Sequence, residues 1–375
     1  MAGTIGTMHR IEFLDLGRSA KALKPAISEA IAGVLDSGRF LLGERLEQFE
    51  EAFARYCGAA QAVGVASGTD ALRLALLACG VGEGHEVITV SNTCVPTVSA
   101  ISSLGATPVF ADIDPETFTI APPLIESRIT ERTRAILPVH LYGQCAEMDS
   151  VLEVARRYGL RVIEDCAQAH GARFQGRAAG TTGDAGCYSF YPTKNLGAIG
   201  DAGMVITNDR ELAERVRLLR DYGRTDRYRH AMKGYNSRLD EVQASVLLVK
   251  LPHLDAWNER RRAIARTYAD GLARVPLICP SEASGRHHVY HLYVVRVRNR
   301  SRFQVKLAER GVATLIHYPI PVHRQPAYAE LASSEAHLAL TGKLADEILS
   351  LPLYPELADD EVDGVIDAIR DSLEA

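Results

Sequence analysis

Between about residues 60 and 210 the chain alternates short runs of apolar, β-branched residues with longer stretches whose apolar positions recur at helical spacing. The runs AVGVA (62–66), EVITV (86–90), TPVF (107–110), RAILPV (134–139), LRVIE (160–164) and GMVIT (203–207) predict strands. Asp70–Cys79 and Ser150–Tyr158 carry the helical period between them. Strands apolar on both faces, alternating with helices, predict an α/β fold whose mostly parallel central sheet is covered by helices. Ligands of such sheets sit beyond the carboxyl ends of the strands, so residues just after each strand are the candidates for chemistry.

Past residue 238 the pattern changes. Arg238–Lys250 and Leu254–Leu272 read as helices broken at Leu251-Pro252. HLYVVRV (291–297), a helix near Arg302–Arg310, a stretch with Pro319, Pro321 and Pro326, ILSLPL (348–353) and a closing helix follow. This predicts a smaller C-terminal α+β domain, 251–375, after a large cofactor-binding domain, 1–250, that includes an N-terminal arm. A chain of 375 residues has the length for two such units and buries enough surface to fold without disulfides or metal staples.

Charge narrows the function. Forty-two Lys and Arg against 47 acids give a net charge of −5, without the basic excess that a nucleic-acid binder uses to neutralise phosphates. A small anionic substrate in a local basic pocket remains open. No apolar run is long enough to cross a membrane, and Met1–Arg10 lacks the apolar stretch of a signal peptide. Seven scattered cysteines without a CxxC pair are unlike a disulfide or zinc framework, so a reduced, cytoplasmic location is expected.

Three motifs carry chemistry. In VASGTDAL (65–72) a strand ends and Ser67-Gly68-Thr69 opens a helix, whose free N–H groups and dipole suit an anion; a simple N-cap would read the same way. In VIEDCAQAHGA (162–172), Glu164 and Asp165 end a buried strand. A carboxylate there needs a partner, and either a protonated ring nitrogen of a ligand or a helix start would serve. In SFYPTKNLGAIGDAG (189–203), Lys194 lies among small and apolar residues, where desolvation would make its amine a usable nucleophile or proton shuttle; alone it would read as a solvated charge. Together the motifs supply a phosphate cradle, an acid for a pyridinium nitrogen and a Schiff-base lysine, the three parts that pyridoxal 5′-phosphate requires.

With these motifs in this order the chain resembles the DegT/DnrJ/EryC1/StrS sugar aminotransferases, a branch of the fold-type I pyridoxal-phosphate enzymes, over about residues 11–373. The resemblance implies that Gly68, Thr69 and Ser189 bind the cofactor phosphate, with Ser67 in the same cradle. It implies that Asp165 faces the pyridine nitrogen, that Gln168 lies near the ring and its hydroxyl, and that Lys194 bonds the cofactor and serves as the base of the proton shift. GYNSRLDEVQASVL (234–247) is similar to a segment that crosses to the other subunit of a homodimer. There Asn236 would reach the partner's phosphate group and Arg238 would line the partner's site. IHYPIPVHRQPAY (316–328) is similar to the stretch whose His317 and Tyr318 face the sugar nucleotide. Two positions depart from the common pattern. Cys94, in SNTCVPT (91–97), stands where many members stack an aromatic on the cofactor ring, and Ala202 replaces one of two glycines in Gly200-Asp201-Ala202-Gly203.

The resemblance implies transfer of an amino group from L-glutamate to a nucleotide-linked keto-sugar. NLGAIGDAG and NTCVPT favour a dTDP-3-keto-6-deoxyhexose; a 4-keto, UDP-linked or cyclitol substrate is the alternative. A dehydratase of the same fold would carry histidine in place of Lys194, and a non-catalytic regulator would not need that lysine. GVGEGH (80–85) lies between a helix and a strand, the wrong order for a dinucleotide fingerprint. His287, His288 and His291 lie beside a strand without matching carboxylates or cysteines and are expected to have structural or surface roles. The arginines between Arg215 and Arg229 and those at Arg260, Arg261, Arg262 and Arg266 are expected on solvated faces.

Overall fold

Asp15 starts the first helix: its carboxylate accepts the N–H groups of Gly17 and Arg18, and α1 (Leu16–Ser37) runs until Gly38, at φ 64°, ends it. The computed structural model describes residues 10–374, so the stretch read for a signal peptide lies, except for Arg10, outside the described residues. The start of α2 (Glu44–Cys57) has no side-chain cap of its own. It borrows one from far along the chain, where the buried Glu241 carboxylate accepts the N–H groups of Gly43, Arg45 and Leu46.

The predicted alternation follows: β1 (Gln61–Val65), α3 (Gly68–Ala78), β2 (Glu86–Thr89), α4 (Val95–Ser102), β3 (Thr107–Phe110), β4 (Thr133–Ile136), α5 (Met148–Tyr158) and β5 (Arg161–Asp165). The short strands β6 (Arg173–Phe174) and β7 (Arg177–Ala178), then β8 (Ala185–Ser189), β9 (Gly203–Thr207) and α6 (Arg210–Arg220), complete it. Seven strands form one sheet in the order β1-β9-β8-β5-β4-β2-β3, and β9 alone runs against the rest. The carboxyl ends of β1, β2, β5 and β8 therefore share one edge, with Ser67, Cys94, Asp165 and Lys194 at or just beyond it. Strand β4 stops at Ile136 rather than 139 because Pro138 offers no N–H to the ladder. Strand β8, the strand expected before Lys194, is not among the apolar runs because its AGCYS lacks one, and Gly186 is needed because a Cβ there would lie 2.3 Å from the Gly180 Cα.

Helix α7 (Glu241–Lys250) begins three residues later than the periodicity suggests, since Asp240 is still extended at φ −72°, ψ 146°. Leu251–His253 forms a single tight turn in which Pro252 occupies an early position, and α8 (Leu254–Leu272) continues from it. Then come β10 (Arg286–His287), β11 (Tyr293–Arg296), α9 (Arg300–Glu309), α10 (Ala339–Ala345), β12 (Ile348–Leu351) and α11 (Asp359–Glu374). Strands β11 and β12 pair antiparallel over a second core of Tyr268, Val295, Phe303, Leu349 and Ile369. The two cores meet along α8, where Leu254 belongs to the first and Ile264 to the second. Core membership does not follow chain order throughout: Ile11 pairs with Val312 and packs into the second core, whereas Val289 and Leu292 pack into the first.

Two expectations about charge are corrected. Arg261 is 4% exposed, and its Nη1 donates to the carbonyls of Leu353, Tyr290 and His291. Arg220 is likewise buried, held by Glu50 and the Gly64 carbonyl. Arg224, Arg227 and Arg229 are exposed as expected. No helix among the described residues is long and apolar enough to cross a membrane.

Candidate active site

Ser67 is extended (φ −161°, ψ 167°) and caps α3 by accepting the Asp70 N–H at 3.2 Å. Among the described residues the N–H groups of Gly68 and Thr69 donate to no protein acceptor, so they face outward at the positive end of an 11-residue helix. A Cβ on Gly68 would lie 2.5 Å from the Ser189 Cβ. Only glycine allows that approach, and it sets Ser67, Gly68 and Thr69 beside Ser189 at the end of β8. The groups singled out from the sequence thus come together from two strand ends, and their free N–H groups and hydroxyl are of the kind an anion would use.

The adjacent acids of β5 have separate environments, as side chains on opposite faces of a strand must. Glu164 accepts the N–H groups of Gly180, Thr182 and Gly183, the Thr182 hydroxyl and His140 Nε2. The Ala146 N–H donates to His140 Nδ1, which leaves Nε2 as the ring donor to Glu164. Burial pushes Glu164 up, yet His140 and the backbone donors outweigh it and hold the carboxyl below its ordinary value. His140, Glu164 and Cys166 place three potential metal ligands within 4.8 Å, but these hydrogen bonds already occupy the histidine and the carboxylate. Glu164 is a structural carboxylate.

Among the described residues Asp165 has two donors, the Thr97 hydroxyl at 2.8 Å and the Ala167 N–H at 3.0 Å. Burial pushes its carboxyl up from the ordinary value, against those donors and the Lys194 charge. It retains acceptor capacity for a cationic N–H. Lys194 lies in the loop after β8, closed by Ala198 N–H to Phe190 O and Phe190 N–H to Ala202 O. Burial pulls the lysine down from its ordinary value, and Cys94 and Asp165 restore part of the shift. Ala202 is buried and is absent from the positive-φ positions, so its extra methyl is accommodated. A buried acid with spare acceptor capacity and a half-buried, desolvated lysine are what a cofactor with a basic ring nitrogen and an aldehyde would satisfy.

Gln168 Oε1 accepts the Tyr142 N–H at 2.7 Å, and its Nε2 donates to the Tyr318 hydroxyl at 2.9 Å. Tyr142 donates to the His317 carbonyl, and His317 Nδ1 lies 2.8 Å from Ser350 Oγ with its ring stacked on Phe13. Burial and the adjoining Cys94 push the Tyr318 phenol up. Gln168, Cys94, His317 and Tyr318 therefore form one wall. Thr97, Tyr142 and Ser350 were missed by sequence reasoning; only Thr97, three residues after Cys94 in the same motif, had a local signal. His288 and His291 are buried and His287 is half-buried. Asn236 and Arg238 stand apart: Asn236 is exposed, Arg238 Nη1 bonds Asp221 at 3.2 Å, and neither hydrogen-bonds Lys194, Asp165 or Ser189.

The open α/β sheet, with a half-buried lysine and a buried acid near enough to interact by charge at its carboxyl edge, defines a fold-type I aminotransferase. Residues 21–370 match the DegT/DnrJ/EryC1/StrS aminotransferase family, and the chain belongs to it. It is 50% identical over 363 residues to a dTDP-3-amino-3,4,6-trideoxy-alpha-D-glucose transaminase of Streptomyces venezuelae, covering 96% of each chain. It is 47% identical over 364 residues to a pleiotropic regulatory protein of Geobacillus stearothermophilus, covering 96% of this chain and 98% of the other. The crystal structure of DesV from S. venezuelae in complex with a ketimine intermediate superposes with a TM-score of 0.95 at 50% identity, over 98% of this chain and 99% of that one. NtdA from Bacillus subtilis with bound cofactor PMP superposes with a TM-score of 0.92 at 34% identity, over 98% of this chain and 86% of that one.

Proposed function

We propose that this aminotransferase uses pyridoxal 5′-phosphate to move the amino group of L-glutamate to a nucleotide-linked keto-sugar, with a dTDP-3-keto-6-deoxyhexose favoured. The observation that carries the reading is the half-buried Lys194, pulled toward its neutral form by desolvation, beside a buried Asp165 with spare acceptor capacity. The relatives named for a dTDP-3-amino sugar and for bound PMP support the substrate class and the cofactor. When bound, the cofactor supplies an electron sink for a carbanion next to nitrogen.

The chain's own residues do the rest. Lys194 would hold the cofactor covalently and, once displaced, its Nζ takes the substrate proton and returns it; a depressed pKa suits that shuttle near neutral pH. Asp165, aimed by Thr97 and Ala167, would hold the ring-nitrogen proton. The N–H groups of Gly68 and Thr69, with Ser189, would take the phosphate. Gln168 would contact the ring hydroxyl, and His317 and Tyr318 the sugar. The assembly proposed is a homodimer in which Asn236 and Arg238 complete the partner's site.

Purified protein reconstituted with pyridoxal 5′-phosphate should be yellow and should bleach with L-glutamate. Adding a panel of keto-sugar nucleotides should restore the colour, with the amino sugar seen by mass spectrometry. A yellow protein indifferent to every amino donor would overturn the reading.

A further inference from the structure

Asn236 is exposed, yet the residues on both sides of it are held against one helix. Ser237, with no exposed surface, donates its hydroxyl to Asp70 Oδ2 at 2.6 Å and accepts the Ala66 N–H at 3.3 Å. On the other side, the Arg73 guanidinium lies 4.2 Å from the centroid of the Tyr235 ring. Arg73 also pairs with Asp70 at 2.8 Å. Asp70 and Arg73 stand in the opening turns of α3, whose first N–H groups form the phosphate cradle, and the Asp70 N–H is itself bonded to Ser67.

We propose that Ser237 and Asp70 are positioning residues that tie two phosphate contacts together: the cradle of their own subunit, and the Asn236 side chain that the same subunit presents to its partner. This rests on the shared-site dimer proposed above. A hydroxyl donating to a carboxylate is stronger than a neutral pair, so the tie resists small rotations of the segment relative to α3. The backbone has separate anchors, Ser237 N–H to Arg220 O at 2.8 Å and Tyr235 N–H to Leu219 O at 2.7 Å. Loss of the hydroxyl alone therefore leaves the segment folded but free to shift. Apolar packing would be served by alanine at 237; the buried hydroxyl is used to reach Asp70.

The test compares dissociation constants for pyridoxal 5′-phosphate and for pyridoxal, which lacks the phosphate, by absorbance titration. Ser237→Ala should weaken pyridoxal 5′-phosphate about tenfold, the size of one lost charge-assisted hydrogen bond, and leave pyridoxal unchanged. Asp70→Asn, which keeps the geometry and loses the charge, should show a smaller loss in the same direction, and Ser237→Thr should restore binding. Equal weakening for both ligands, or none, overturns the proposal. Two tagged heterodimers locate the effect, each with one cofactor-bonding site because one chain carries Lys194→Ala. Ser237→Ala goes into the chain with Lys194 in the first and into the chain without it in the second. Both should hold pyridoxal 5′-phosphate more weakly; weakening in only one, or a monomeric parent, overturns the tie. A parent that binds neither ligand would instead sink the cofactor reading.

Discussion

Lys194 and Asp165 are each held in a protonation balance that water would not give them, and both shifts have consequences for stability. With its folded pKa lowered, Lys194 binds fewer protons folded than unfolded, so its burial costs stability below that folded value. The cost fades as pH rises toward the ordinary lysine range. Asp165, with its pKa raised, has the opposite dependence: no cost in strong acid, and full cost above its raised value. Lys194→Met should therefore abolish amino transfer and raise the thermal midpoint of cofactor-free protein at pH 7 by about 2 °C or more, with the gain shrinking as pH rises. A lower midpoint measured by calorimetry would mean that the lysine is well paired without cofactor. Asp165→Asn should keep cofactor but lose most turnover, and parental rates would make the acid structural. These two residues were legible because each motif is contiguous, Asp165 ending a strand and Lys194 lying in the glycine-bearing loop after one. The division of labour between Glu164 and Asp165 was not, because the partners of the two faces come from Thr97, His140 and the 180–183 turn. Arg261 was misread for the same reason: its own helix shows its spacing, not the carbonyls of Tyr290, His291 and Leu353 that cover it.

At the scale of elements, runs of Val and Ile revealed the strands, while direction and partnership stayed hidden. Nothing in GMVIT says that β9 runs against its neighbours, and β8 has too little apolar character to stand out although it carries Ser189 and leads to Lys194. The link between α7 and α2 was equally invisible, since Glu241 and Gly43 are 198 residues apart. That link has a measurable price in stability. Glu241→Ala would leave the α2 N–H donors of Gly43, Arg45 and Leu46 without acceptors, two of them in buried hydrogen bonds. The expected loss is about 3 kcal/mol in urea unfolding, with Glu241→Gln losing less because it keeps one acceptor. Unchanged stability in the alanine variant would show that α2 is held by packing alone.

At the scale of the whole molecule, exposed apolar residues lie against the segment that the resemblance assigns to the partner's site. Phe40, Leu41, Tyr191 and Ile199 are exposed. Leu41 bridges to Asp240, the Glu241 N–H donates to Phe40 O, and the Ile199 N–H donates to Gln243 Oε1. Phe40, Leu41 and Ile199 thus touch the chain just after Asn236 and Arg238, and neither of those two hydrogen-bonds its own chain's Lys194, Asp165 or Ser189. A two-fold axis through this face would cover the apolar side chains and carry both polar residues toward the opposite site, because such an interface pairs the same patch from each chain. The shared-site assembly predicts complementation between damaged subunits. Lys194→Ala and Arg238→Ala chains are each expected to be inactive or severely impaired as homodimers. In a mixed dimer, one site collects both lesions and the other neither, so activity should return toward about half that of the parent dimer. The mixed species would be isolated with two affinity tags and assayed with glutamate and the keto-sugar identified by mass spectrometry. Isolated mixed dimers that stay as poor as the Arg238→Ala homodimer would place Arg238 in its own subunit's site, and the exposed face would then need a different role.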